Sequence, residues 1–312
     1  MLDRASKAFF HLIARSGTLK KLSSRYGMRK PSSFARRFIA GETVAEAIES
    51  ARAIQARGMG ITLDLLGESV TSLDKAEAAT RQYVEVIDTI VQSGIERNIS
   101  LKLTQLGLDV DKAIAVDNLR KILERAQPAG FFVRIDMESS AYAEVTLEIF
   151  ETLWSHGYRQ IGVVLQASLI RSEQDLTHVD ALGARVRLVK GAYKEPKAVA
   201  YHHKADVDAA YARMMKTLLA DGHNPAIATH DPAMIDLARQ YSRELHVTPD
   251  RFEFQMLYGI RRDLQMRLLK EGYRVRVYIP FGREWFPYFM RRLGERPANV
   301  MFVIRAILGE TG

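Results

Sequence analysis

From Gly60 onward the sequence passes eight times through one unit: a short apolar stretch, a polar turn, then a segment whose apolar residues recur at helical spacing. The stretches Gly60–Leu66, Ile99–Leu103, Phe131–Asp136, Ile161–Gln166, Val186–Val189, Ala226–Thr229, Phe252–Met256 and Tyr273–Ile279 read as strands. Helices are expected over Leu73–Arg97, Val110–Ala126, Ala143–His156, Glu173–Leu182, Ala205–Ala220, Ala233–Arg243, Arg261–Lys270 and Glu284–Leu308. A helix at every crossover calls for parallel strand pairing. Eight such units in roughly 250 residues suit a closed (βα)8 barrel of TIM type. An open, doubly wound sheet is the alternative.

Ahead of these units, Gly41-Glu42-Thr43 opens a helix. Thr43 is placed to cap it, with Glu46 three residues on completing a capping box. Ala47, Ile48, Ala51 and Ile54 form its apolar stripe, and Gly58 ends it. The expected division is therefore an N-terminal helical arm, 1–57, and a barrel domain, 58–312.

The net charge of +8 is unevenly spread. Residues 1–40 hold ten Lys/Arg against the single acid Asp3, a local charge of +9, which leaves −1 for the remainder. The basic character belongs to the arm, which argues against a nucleic-acid groove across the body. The arm suits an anionic membrane surface, a transit peptide or a basic helix folded beside the barrel. No apolar run approaches the roughly 18 residues needed to span a bilayer. The chain has no cysteine, which excludes disulfides, thiolate metal sites and cysteine nucleophiles.

In barrels of this type the chemistry lies at the C-terminal ends of the strands. Polar residues recur there: Asp64 and Glu68, Lys102 and Gln105, Asp136 to Glu138, Gln166, Arg187 with Lys190 to Tyr193, Thr229 to Asp231, Gln255 with Leu257 and Tyr258, and Tyr278. Each has a structural reading of its own. Lys102 can belong to an ion pair, Asp136 can cap a helix, and Thr229-His230-Asp231 can be a turn. After the last strand a helix places Tyr288, Arg291, Arg292 and Glu295 on neighbouring positions. Two guanidiniums suit a small carboxylate, which arginine grips bidentately, or else they form a solvated basic face. No zinc pattern, Walker loop, nucleophile elbow or Rossmann fingerprint appears. Redox chemistry at this mouth would need a cofactor.

The segments SLKLTQLG, RIDMESS, VVLQAS, RLVKGAY, ATHD, FEFQML and YIPFG…YFMRRLGERPAN, in this order, resemble the proline dehydrogenase family of the monofunctional bacterial type. The resemblance implies a distorted (βα)8 barrel whose last helix lies over the mouth, with non-covalent FAD. It implies a flavin-dependent oxidoreductase that takes L-proline to Δ1-pyrroline-5-carboxylate by hydride transfer from proline C5 to flavin N5. The electrons go to a membrane quinone, and the product can pass to a pyrroline-5-carboxylate dehydrogenase. This is the first step of proline catabolism to glutamate, in the cytoplasm or on the inner face of the membrane. Hydroxyproline or another cyclic imino acid is the alternative substrate, and a membrane- or nucleic-acid-binding barrel the alternative outside enzymes.

Carried over residue by residue, the resemblance makes Asp136 and Arg187 catalytic. Lys102, Arg291 and Arg292 bind the proline carboxylate. Tyr193, Leu257, Tyr278 and Tyr288 wall the ring, Glu295 supports the arginines, and Glu68 closes over the first of them. Met137, Gln166, Arg187, Lys190, Gly191, Ala192, Thr229, His230 and Gln255 contact FAD. No metal is implied.

Overall fold

The structure, a computed structural model, describes residues 34–294, with side chains from 35 to 290. Eight parallel strands close into a barrel in sequence order, and the first pairs with the last. They are β1 (Gly60–Leu65), β2 (Asn98–Leu101), β3 (Phe132–Ile135), β4 (Ile161–Gln166), β5 (Arg185–Val189), β6 (Ala226–Ala228), β7 (Glu253–Leu257) and β8 (Arg274–Phe281). Helix α1 (Val44–Gln55) precedes them. Between strands lie α2 (Leu73–Ser93), α3 (Lys112–Ala126), α4 (Ala143–Ser155), α5 (Ser172–Ala181), α6 (Lys204–Asp221), α7 (Pro232–Glu244) and α8 (Arg262–Lys270), and α9 (Trp285–Gly294) follows β8.

Several elements end sooner than the sequence pattern suggests. Helix α2 stops at Ser93 because Gly94 turns left-handed, at φ 73°, leaving Asn98 to start β2. Strand β2 stops at Leu101, where Lys102 opens a 3-10 turn over Leu103–Leu106. Lys102, Asp136 and Thr229 thus stand one residue beyond their strands, at the mouth of the barrel. The expected last helix runs past residue 294, outside the described residues.

The Thr43 capping box is present, with Thr43 accepting from Glu46 N–H and Glu46 accepting from Thr43 N–H. Ala47, Ile48, Ala51 and Ile54 of α1 join the same apolar core as the barrel strands. A second, smaller core packs Ala35, Phe38, Ile39 and Leu66 against Trp285, Phe286, Tyr288 and Phe289 of α9. Leu66 directly follows β1, so this core sets the start of α9 beside the mouth. Burying each of these large apolar side chains contributes about 1.5–3 kcal/mol.

The strands carry their apolar side chains toward the helices and polar ones inward. Ser100, Arg134, Asp136, Arg187, Gln255 and Arg276 are all buried or nearly so. The usual filling of a barrel interior is branched apolar layers; buried charge in its place must be paired. At the N-terminal end Arg276 donates to Glu253 at 2.8 Å and to the Ile61 carbonyl at 2.6 Å, and it pairs with Glu96 at 2.7 Å. The ladder of bonds continues upward, since Gln255 donates to Glu253 Oε1 at 2.6 Å.

Candidate active site

At the mouth, side chains from β2, β5 and β8 converge on one carboxylate at the end of β3. Asp136 accepts on Oδ1 from Arg187 Nη1 at 2.8 Å and from Ser100 Oγ at 2.6 Å. Its Oδ2 accepts from the Tyr278 phenol at 2.8 Å and lies 3.6 Å from Lys102 Nζ. Lys102 donates to Asp64 at 3.1 Å. Arg187 is held from beneath by Gln255 Oε1 at 2.5 Å and lies over the Tyr278 ring, 5.2 Å from its centroid. Strand β5 is separated from β3 by β4 and from β7 by β6, so these bonds cross the barrel interior. Side chains two apart on a strand share a face. That is why Ser100 aligns with Lys102, Arg134 with Asp136, and Gln255 with Glu253.

Charge in the cluster is balanced, with two cations (Lys102, Arg187) against two acids (Asp64, Asp136). Burial, the largest influence on Asp136, works to raise its pKa. The charges of Arg187 and Lys102 and the hydroxyls of Ser100 and Tyr278 together win, and the carboxyl sits below its ordinary value. At fully buried Asp64, burial prevails over Lys102 and pushes the carboxyl up. Burial opposes the charged form of Lys102 too, but Asp64 and Asp136 overcome it and hold the ammonium well above its ordinary pKa. Lys102 is therefore a firmly charged group.

A pocket of about 60 Å³ opens beside Lys102, lined by Leu66, Gly67, Glu68, Glu284, Pro287 and Tyr288. A larger cleft of about 340 Å³ lies on the outer wall, where Ser50 and Arg57 of the α1 region face Tyr258 and Arg262, away from the carboxylate cluster.

On the other side of the mouth, Gln166 donates from Nε2 to the carbonyls of Met137 (3.1 Å) and Glu138 (2.9 Å). Its Oε1 is buried with no hydrogen-bond partner. Nearby, Gly191 has φ +107°, and a Cβ there would come within 2.1 Å of Ser168 Oγ and 3.5 Å of Gln166 Oε1. Only glycine leaves that space open. Lys190 is bonded to Asp208 and, at 2.7 Å, to Asp231. Asp231 also caps α7 by accepting from Ala233 N–H at 3.1 Å. The start of this helix is thus already engaged by the protein's own carboxylate.

A family model described as "Proline dehydrogenase" matches residues 47–305. Proline dehydrogenase 2 of Bacillus subtilis (strain 168) is 41% identical over 302 residues, covering 97% of this chain and 98% of that one. Proline dehydrogenase of Deinococcus radiodurans is 39% identical over 312 residues, covering 99% of each. The chain belongs to the proline dehydrogenase family.

The same architecture occurs in proline utilization A (PutA) from Bdellovibrio bacteriovorus, in a crystal structure inactivated by N-propargylglycine. The TM-score is 0.80 at 27% identity, over 94% of this chain and 37% of that larger one. The bifunctional protein PutA of Escherichia coli (strain K12) is 28% identical, and the match spans only 24% of its length.

Of the residues expected from the proline dehydrogenase resemblance, Lys102, Asp136, Arg187 and Tyr278 come together in one bonded cluster. Glu68 and Tyr288 line the pocket beside it. Met137, Gln166 and Gly191 gather on the opposite side. Gln255 spends both ends of its amide inside the barrel, beneath Arg187. His230 Nε2 accepts from Leu257 N–H at 2.9 Å, and Thr229 Oγ1 accepts from Asp231 N–H at 3.1 Å, so these two side chains bond backbone. Tyr193, 37% exposed, and Ala192 lie on the outer part of the loop after β5. Arg291 and Arg292 belong to α9, but their side chains, and all of Glu295, lie outside the described residues. Sequence reading missed Ser100, which completes the Asp136 cluster. Its only signal was the alternation from Ser100 in β2 to Lys102 just beyond it.

Proposed function

We propose that the chain oxidises L-proline to Δ1-pyrroline-5-carboxylate with FAD, as the first step of proline catabolism, and that barrel 58–312 is the catalytic unit. The observation that carries this reading is the ion-paired cluster around Asp136, set between the Lys102 pocket and the unsatisfied Gln166 oxygen. A buried acceptor without a partner is rare and marks a place where a donor is missing. The ring N–H of a flavin supplies such a donor, and the space kept open at Gly191 suits a flat group laid against the backbone. Gln166, Gly191, Met137 and Arg187 are assigned to holding the ring. Lys190, Ala192, Thr229 and His230 are assigned to the rest of the cofactor. Bound FAD supplies the two-electron acceptor that these side chains lack.

On this reading Lys102, as a fixed ammonium, attracts the proline carboxylate into its pocket, and Arg291 and Arg292 complete the clamp. Tyr193, Leu257, Tyr278 and Tyr288 bound the ring, Glu295 supports the arginines, and Glu68 closes the pocket. Fixing the substrate in one orientation provides the proximity contribution to catalysis. Asp136 acts as an anchor and not as a base. Both of its oxygens are occupied, and a carboxyl held below its ordinary pKa is a poor proton acceptor near neutrality. It holds Arg187, Tyr278 and Lys102 at fixed positions around the reacting carbon. The electrons then pass to a membrane quinone, and the product is handed to a pyrroline-5-carboxylate dehydrogenase.

The purified protein is expected to be yellow and to bleach when L-proline is added without oxygen. A colourless protein that remains inactive after incubation with FAD overturns this reading.

A further inference from the structure

Glu138 lies two residues beyond Asp136, is 5% exposed, and takes no part in the cluster described above. Both of its oxygens face a single residue. Oε1 accepts the Thr104 N–H at 3.1 Å, and Oε2 accepts the Thr104 hydroxyl at 2.6 Å. Thr104 is fully buried and lies two residues beyond Lys102. Its hydroxyl oxygen also accepts the Ser69 N–H at 2.9 Å, and its carbonyl accepts the Val70 N–H at 2.9 Å. Ser69 follows Glu68, which lines the pocket with Lys102 and Tyr288.

The direction of this relay is set by its chemistry. A backbone N–H can only donate, so Ser69 donates its hydrogen bond to Thr104 Oγ1. The Thr104 hydroxyl must then donate onward, and the Glu138 carboxylate is the acceptor at the end. Successive bonds of this kind strengthen one another. The loop it secures needs securing, because Ser69 has φ +55°, a left-handed conformation that non-glycine residues adopt at a cost. The loop also rides directly on the β2 turn: a Cβ at Gly67 would come within 2.4 Å of Gln105 Nε2. At the other end, the Glu138 carbonyl is seated on β4 through Gln166.

We infer that Thr104 and Glu138 form a positioning pair that sets the loop bearing Glu68 over the Lys102 pocket, and that substrate affinity depends on it. The inference rests on the reading that this pocket takes the substrate. Neither residue needs to touch that substrate. Their effect passes from the ends of β3 and β2 to the loop after β1, three elements that carry Asp136, Lys102 and Glu68.

The test compares Thr104→Val, which keeps the shape and removes the hydroxyl, with Thr104→Ser, which restores it. Thr104→Val is expected to raise KM for L-proline about tenfold, the order of one missing hydrogen bond to a charged group, with kcat moving about twofold or less. Thr104→Ser is expected to stay close to the parent. In a Glu68→Ala background Thr104→Val should add nothing, because the two changes act through one loop. Hydrogen exchange provides a readout independent of turnover. Peptides covering 66–71 should exchange faster in Thr104→Val than in the parent or Thr104→Ser, with the barrel strands unchanged. Unaltered exchange in that segment overturns the relay. Faster exchange with an unmoved KM, or a full effect persisting without Glu68, overturns the positioning role. If Thr104→Val does not fold, Glu138→Gln is read in the same two assays, with the same expected direction. A parent protein that does not turn over proline refutes the proposed function, while the exchange result still decides whether the relay holds the loop.

Discussion

Arg187 and Asp136 are 51 residues apart in sequence and 2.8 Å apart across the inside of the barrel. Their side chains are only 6% and 13% exposed. The bond joins β5 to the end of β3 through the barrel interior, past β4, so it is also a cross-brace for the mouth. Asp136 has both oxygens engaged, and its removal leaves the buried Arg187 without its carboxylate, while Lys102 keeps Asp64.

Asp136→Ala is therefore expected to destabilise the fold by about 3–5 kcal/mol, the usual cost of breaking a buried ion pair from one side. Asp136→Asn, which keeps the shape and one acceptor, should cost less. Urea denaturation of both variants gives the comparison. Equal stability of parent and Asp136→Ala would show that the pair does not brace the mouth.

The pH dependence follows from the depressed pKa of Asp136. A carboxyl whose folded-state pKa lies below its unfolded value, here 3.8, contributes stability that is present above the unfolded value. That stability is lost as pH falls through the folded one. The melting temperature of the parent should therefore drop relative to Asp136→Asn only below about pH 4. Asp64 works in the opposite sense, since its raised pKa makes protonation favour the folded state. Subtracting the two melting curves isolates the contribution of Asp136; a difference that does not change with pH would refute its assignment.

Gly191→Ala is expected to cost about 1–3 kcal/mol, because alanine must take a left-handed φ and its Cβ meets Ser168 Oγ. Flavin content should fall along with stability, since the methyl group also intrudes toward Gln166 Oε1. Absorbance at the flavin band and a thermal melt read the two effects separately. Full flavin loading in a folded variant would remove Gly191 from the proposed ring site.

Arg292→Met is expected to lower kcat/KM for L-proline sharply while far-UV circular dichroism stays unchanged. Removing one partner of a buried, hydrogen-bonded charge pair costs about 2–5 kcal/mol, or roughly 30- to several-thousand-fold in kcat/KM. Arg292→Lys should rescue poorly, because an ammonium lacks the planar fork. Tight binding of a tetrahydrofuran carboxylate by the methionine variants of both Arg291 and Arg292 would disprove the clamp.

The part of the N-terminal arm next to α1 is tied to the barrel. Ala35, Phe38 and Ile39 pack against α9, and Arg36 pairs with Glu46 at 2.6 Å. Removing residues 1–33 should weaken co-sedimentation with anionic vesicles in a salt-sensitive way. Removing residues 1–40 should also lower the melting temperature by unsealing the second core. Equal vesicle binding with and without 1–33 would exclude the arm from membrane contact. Among the described residues no helix is long and apolar enough to cross a membrane.

Much of the architecture was legible beforehand because strand and helix periods are local properties. The alternation of apolar runs with helical segments places all eight strands within a residue or two of their observed bounds. Errors fell where a single backbone event ends an element, as at Gly94 after α2 and Lys102 after β2. The polar strand ends were legible as a set, since position relative to a strand end can be counted along the chain. Which of them would bond together was not. Ser100, Thr104 and Glu138 look like ordinary polar residues next to more conspicuous ones.

The sequence by itself determined the barrel, the family, and the list of side chains delivered to one end of the strands, because those depend on pattern and spacing. Only the tertiary structure decided that Asp136 gathers Arg187, Ser100, Tyr278 and Lys102, that Gln255 is spent as a support beneath Arg187, and that Asp231 occupies the start of α7. Those outcomes depend on closure. Pairing β1 with β8 brings inward-facing residues from separate parts of the chain within bonding distance, and burial there means that each charge must be satisfied by the side chains around it.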